Sequence, residues 1–129
     1  MKIKLAYGQS HLAVELPDDR TTVIEPAHTP GLADERAAVL AALARPISTR
    51  PLREWIKSGD RICILFTDIT RATPNERLIP WLLEYLRDVP RAQITLVNQL
   101  GTHRPNTTTE LEQMLTPEVV RHYHVVNHD

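Results

Sequence analysis

The sequence predicts an α/β fold: an N-terminal β-hairpin unit followed by a Rossmann-like parallel βαβαβ sheet flanked by helices. Three observations point there. Ile62-Cys63-Ile64-Leu65-Phe66 is a continuous apolar run rich in branched residues, the pattern of a strand buried on both faces of a parallel sheet. From that run onward the chain repeats a strand–loop–helix rhythm. Near the start, Leu12, Val14 and Leu16 alternate with His11, Ala13 and Glu15, the period of a half-exposed strand.

Taken in order, Met1 to Tyr7 reads as the first strand and Gly8-Gln9-Ser10 as a turn. The alternating strand follows and ends at Pro17-Asp18-Asp19, and Thr22 to Ile24 is expected to form a third short strand. After Pro30-Gly31, Val39, Leu40 and Leu43 fall on one helical face, and Arg45-Pro46 should stop that helix. Ser48 to Lys57 reads as another short helix with Trp55 and Ile56 turned inward, and Ser58-Gly59-Asp60 as a loop. Leu78, Ile79, Leu82 and Leu86 mark an amphipathic helix, with Pro80 suggesting that its regular part begins late. Ile94 to Val97 is a second buried strand. Thr107 and Glu110 have capping-box spacing for a helix through Leu115, and Tyr123 to Val126 is a third strand. The resulting organisation is one domain, residues 1–129, made of a β-rich unit (1–30), a helical connection (31–58) and the parallel βαβαβ unit (59–129).

Composition narrows the function classes. Lys and Arg total 15 and Asp and Glu 16, a net charge of -1, so the basic excess of a nucleic-acid binder is missing. The single cysteine, Cys63, lies in an apolar run and reads as core; one cysteine cannot form an internal disulfide, and it permits a reducing compartment. MKIKLAYGQS has no apolar signal core, and the longest apolar stretch, Ala37 to Ala44, is far below the ~18 residues of a membrane helix. The expectation is a cytoplasmic protein with neither membrane nor nucleic acid as partner.

In open parallel sheets, ligands bind beyond the carboxyl ends of the strands. Those ends deliver Thr67-Asp68-Ile69-Thr70-Arg71, then Asn98 through Pro105, then Asn127-His128-Asp129. Topology alone brings Asp68, Arg71, His103 and Arg104 to one rim. His103 sits between Gly101 and Pro105, so a stiff loop should hold an imidazole suited to proton transfer. An arginine fork beside it suits a carboxylate or phosphate. Each group also has a plainer reading. Asp68 and Thr70 are good helix caps, Arg71 could pair with Asp68 at the surface, and His103 could be an ordinary loop residue. His122 and His124, spaced as His-x-His on a strand, together with His128, could form a metal site or merely line a strand edge. An ordinary dinucleotide-binding domain is disfavoured, since no Gly-x-Gly-x-x-Gly turn follows any strand.

The segment from Gly59-Asp60 to Asp68-Ile69-Thr70-Arg71-Ala72-Thr73-Pro74-Asn75 resembles the "GD…DxTRxTPN" signature of the nickel-dependent lactate racemases. Leu100-Gly101-Thr102-His103-Arg104-Pro105 resembles their "LGTHRP" loop. Tyr7-Gly8, Glu25-Pro26 and Val125 to Asp129 are also similar in order and spacing. Ala72 stands where many relatives carry Pro. The resemblance implies an isomerase that racemises or epimerises lactate or a related 2-hydroxy acid with a nickel pincer cofactor, a pyridinium bis-thiocarboxylate mononucleotide. It implies that Asp68, Ile69, Thr70 and Arg71 contact the cofactor. Arg71 would also contact the substrate, and His103 would be one of two catalytic histidines. No metal ligand is expected in this chain. The family's covalent lysine, nickel-binding histidine and second catalytic histidine lie further along. The chain is therefore expected to be an incomplete half of a two-domain enzyme, inactive alone, whose C-terminal domain or a companion chain completes it. The alternative is a non-catalytic module or truncated relic that holds a small anion.

Overall fold

The structure, a computed structural model, describes residues 1–128; Asp129, placed above with the third strand end, lies outside the described residues. The chain divides into two compact units, Met1–Gly31 and the remainder from Leu32 onward.

The first unit is a hairpin. Strands β1 (Lys2–Tyr7) and β2 (Ser10–Glu15) pair antiparallel, from Lys2 opposite Glu15 to Tyr7 opposite Ser10. Gly8 and Gln9 make the two-residue turn, and Gly8 takes the positive φ of +57° that such turns need. The period of two puts Ile3, Leu5 and Tyr7 on one face with Leu12 and Val14. The expected third strand is absent: Thr22 to Ile24 has no strand partner, and Ile24 is 90% exposed. Branched residues favour strands only where a neighbouring strand takes up the backbone hydrogen bonds, and none is offered here.

The second unit opens with α1 (Glu35–Ala44), capped by the Asp34 carboxylate, which accepts from the Ala37 N–H at 2.8 Å. Strands β3 (Ile62–Thr67), β4 (Ile94–Gln99) and β5 (His124–Asn127) form a parallel sheet in that order. Between them lie α2 (Asn75–Tyr85), α3 (Thr108–Leu115) and α4 (Pro117–His122). Register places Ile64 beside Leu96 and Leu96 beside Val125. These residues share one face with Phe66 and Ile94 and pack on Ile79, Leu83, Leu86, Leu111, Met114, Leu115 and Val119 of the helices. Leu40 and Leu43 of α1 and Ile56 pack against the same core.

Four local expectations change. Ile62 to Phe66 is buried on one face only. Ile64 and Phe66 enter the core, whereas Cys63 is exposed and Leu65 is 57% exposed. The run is apolar on both sides, so composition could not tell which face the helices cover. Ser48 to Lys57 holds only a single 3-10 turn, Leu52–Glu54, after Pro51. Trp55 faces outward, with the Arg50 guanidinium 3.8 Å above its ring. Helix α2 starts five residues before Pro80, which it tolerates because Ile79 and Leu83 bury its apolar face, with Leu86 packing just past its end.

Thr116 joins α3 to α4 with φ 81° and ψ 147°, close to a backbone region that glycine alone occupies freely. Its hydroxyl caps α4 by accepting from the Val119 N–H. Thr116→Gly removes the strain at little capping cost, whereas Thr116→Ala keeps the strain and loses the cap. The glycine variant is expected to be the more stable of the two by about 1–2 kcal/mol in denaturant melts. Equal stabilities would show that the strain is relieved elsewhere.

Candidate functional site

The loops that leave β3 and β4 meet. Parallel pairing sets Thr67 beside Gln99, so both chains emerge at the same edge. Gly101, at φ +59°, turns the second loop back, and the His103 N–H donates to the Leu100 carbonyl at 3.0 Å. Asp68 is 2% exposed, and its Oδ2 lies 2.5 Å from His103 Nδ1. The Thr70 hydroxyl donates to Asp68 Oδ1 at 2.8 Å.

These contacts set the charge state. The Thr70 hydroxyl bond is the main influence holding the Asp68 carboxyl below its usual range; burial opposes it, and the His103 ring reinforces it. An ionised Asp68 can only accept, so Nδ1 carries the proton of that bond and Nε2 is left free. The imidazole side chain is 41% exposed, so the ring is anchored on one side and reachable on the other.

Asp68, Arg71 and His103 line one cleft of about 420 Å³ with Leu65, Leu100 and His128. Arg71 is exposed and forms no ion pair among the described residues. Neither Asp68 nor Thr70 caps α2: that helix begins after Pro74 with no side-chain cap. Instead Asn75, buried at its first position, donates to the Thr67 carbonyl at 2.9 Å and ties the helix start back to β3.

Arg104 does not join the rim. It forms a two-pronged pair with Glu110, at 2.9 and 2.7 Å, and donates to the Pro105 carbonyl. Glu110 also accepts from the Thr107 N–H at 2.8 Å, completing the capping box of α3. The acceptor six residues away claims the arginine fork before any ligand can. Arg104, then Thr107, drive the Glu110 pKa down to about 2 from an ordinary 4.5, against the effect of burial. A carboxyl with a depressed folded pKa contributes stability above its unfolded pKa and loses it as pH falls through the folded one. Stability should therefore fall as pH drops from 4.5 towards 2, and Glu110→Gln should flatten that part of the profile. Unchanged acid sensitivity in the glutamine variant would assign the loss to other carboxylates.

The histidine cluster separates. His122 closes α4 while His124 opens β5, so the two do not share a strand face. Among the described residues no group of three or more His, Cys, Asp and Glu could hold a metal ion. The same residues include no helix long and apolar enough to cross a membrane. Asn98 and Asn127 were named only as parts of the strand-end segments, with no role expected of their side chains, and Asn106 was not singled out.

The fold defines a class, the open parallel α/β domains that hold ligands beyond the carboxyl ends of their strands. Comparison with known proteins makes it specific. Residues 7–129 match the family described as the lactate racemase N-terminal domain, and the chain belongs to that family. It is 30% identical over 131 residues to the lactate racemase of Thermoanaerobacterium thermosaccharolyticum and 29% identical over 130 residues to that of Lactiplantibacillus plantarum. Each alignment covers 98% of this chain but 31% of the relative, so the chain spans about a third of their length. Among solved structures, the lactate racemase apoprotein from T. thermosaccharolyticum superposes with a TM-score of 0.80 at 29% identity. That match covers all of this chain and 30% of the other.

Proposed function

We propose that this domain supplies the cofactor- and substrate-contacting part of a racemase or epimerase of lactate or a related 2-hydroxy acid that uses a nickel pincer cofactor. The observation that carries this reading is the Asp68–His103 pair, set in one cleft with an uncommitted arginine. The group present that suits the anionic parts of such a cofactor is the Arg71 guanidinium, which borders the cleft. Asp68, Ile69, Thr70 and Arg71 are the residues that would contact it. When bound, the cofactor would supply a reversible hydride acceptor for the carbon bearing the substrate hydroxyl.

The chain's own residues have separate tasks. Arg71 binds the substrate carboxylate through its planar fork. His103 takes the hydroxyl proton at Nε2 and returns it, and Asp68 holds the ring in the tautomer that leaves Nε2 free. A second base is needed on the opposite face, because the two enantiomers present their hydroxyls from different sides. On this reading that base and the metal anchors would come from outside these residues, which span about a third of the relatives' length.

The test compares two proteins. The 129-residue chain, supplied with the cofactor, should not racemise D-lactate, whereas a full-length protein carrying this domain should racemise lactate or a related hydroxy acid. Turnover by the short chain would overturn the division of labour. Tight binding of small carboxylates without turnover in the full-length protein would instead favour an anion-binding module.

A further inference from the structure

Three asparagines join the chain segments that build the cleft. Asn98 lies at the carboxyl end of β4 and Asn127 at that of β5, while Asn106 lies in the loop between β4 and α3. The Asn127 carboxamide pairs with the Asn106 backbone as a strand would, its Nδ2 donating to the Asn106 carbonyl at 3.0 Å and its Oδ1 accepting from the Asn106 N–H at 3.2 Å. Asn98 is fully buried, and its Nδ2 donates to Asn106 Oδ1 at 2.8 Å and to Asn127 Oδ1 at 2.9 Å. The Ile69 N–H, directly after Asp68, reaches the same Asn106 Oδ1 at 3.4 Å. One amide oxygen thus bridges the Asp68 loop and the strand from which the His103 loop departs.

Such a network is costly to bury. Among the described residues Asn98 Oδ1 has no hydrogen-bond partner, and a buried carbonyl oxygen left unpaired is destabilising. At Asn98 an apolar side chain would fill a purely structural strand end without an unpaired oxygen, and Asn106 Oδ1 and Asn127 Oδ1 would each keep another donor. Retaining the amides in place of a leucine or valine is explained if they position what the loops carry.

We propose that Asn106, supported by Asn98 and Asn127, is a positioning residue for the Asp68–His103 pair: it fixes the Asp68 loop against the His103 loop, so that Oδ2 meets Nδ1 and Nε2 faces the cleft. The proposal rests on the proton-transfer reading of His103. It concerns geometry, and it can fail separately from that reading, which turnover tests.

The experiment is NMR on the 129-residue chain. Ring nitrogen shifts report the tautomer of His103, and amide exchange reports the Ile69 N–H, with the Leu96 amide as a core control. The unsubstituted chain should show Nδ1 protonated in the neutral ring. Asn106→Leu should mix the tautomers and speed exchange at Ile69 by about tenfold or more, as loss of one hydrogen bond implies, with Leu96 unchanged. Asn106→Asp keeps the oxygen that both donors reach, gives up only the 3.4 Å bond from the amide nitrogen to Glu110, and should retain the single tautomer. If Asn106→Leu does not fold, Asn127→Ala replaces it with the same expectation, since it removes the pairing at a partly exposed position. A single Nδ1–H tautomer despite a freed Ile69 amide would overturn the proposal. So would loosening at Leu96 equal to that at Ile69, which would mark a structural role alone.

Discussion

His103→Ala, made in a full-length racemase that carries this domain, is expected to lower turnover by on the order of 10²–10⁴. The side chain is anchored through one nitrogen only, on a loop outside the core, so its loss removes the proposed reacting group and little packing. The thermal midpoint should move by no more than a few degrees, about what 1 kcal/mol produces in a domain of this size. Substrate capture should change less than turnover, because the proposed carboxylate contact falls to Arg71. Turnover and melting measured on one preparation separate this from a structural histidine, whose removal would lower the midpoint and leave turnover per folded molecule nearly intact.

Asp68→Asn should cost nearly as much, by a different route. The Thr70 hydroxyl donates to one oxygen of Asp68, and an asparagine in its place would keep that oxygen where it is. Its amide nitrogen would then face His103 Nδ1, which would have to accept. The ring proton would move to Nε2, and the nitrogen facing the cleft could no longer take a proton. Turnover is expected to fall on the order of 10²–10⁴, with the substrate's KM little changed. Ring nitrogen shifts supply the independent check. An Nε2-protonated ring with near-normal turnover would refute the tautomer argument and leave Asp68 as a loop anchor.

Much of the fold was legible because local patterns agreed with one another. The hairpin followed from a period of two beside Gly8, the capping box from Thr107 and Glu110, and the three parallel strands from apolar runs spaced by helical stretches. Two readings failed because propensity lacked a partner. Thr22 to Ile24 had branched residues but no strand beside it, and Ser48 to Lys57 was broken at Pro51 into a single short turn. The motif residues Asp68, Arg71 and His103 were legible one by one, and parallel topology brought their loops to one edge.

By itself, then, the sequence determined the order and type of the main elements and which loops carry ionisable groups, since periodicity, caps and turns act over a few residues. Only the tertiary structure decided which partner each group took. Arg104 was claimed by Glu110, Asp68 turned from a capping role to the ring of His103, and three distant asparagines closed on one another. It also decided which face of β3 the helices would cover, leaving Cys63 outside. Side chains separated by thirty-five positions, as Asp68 and His103 are, leave no local signal of their pairing. A hydrogen bond depends on a few tenths of an ångström, and that is settled only when the strands beneath both loops have packed.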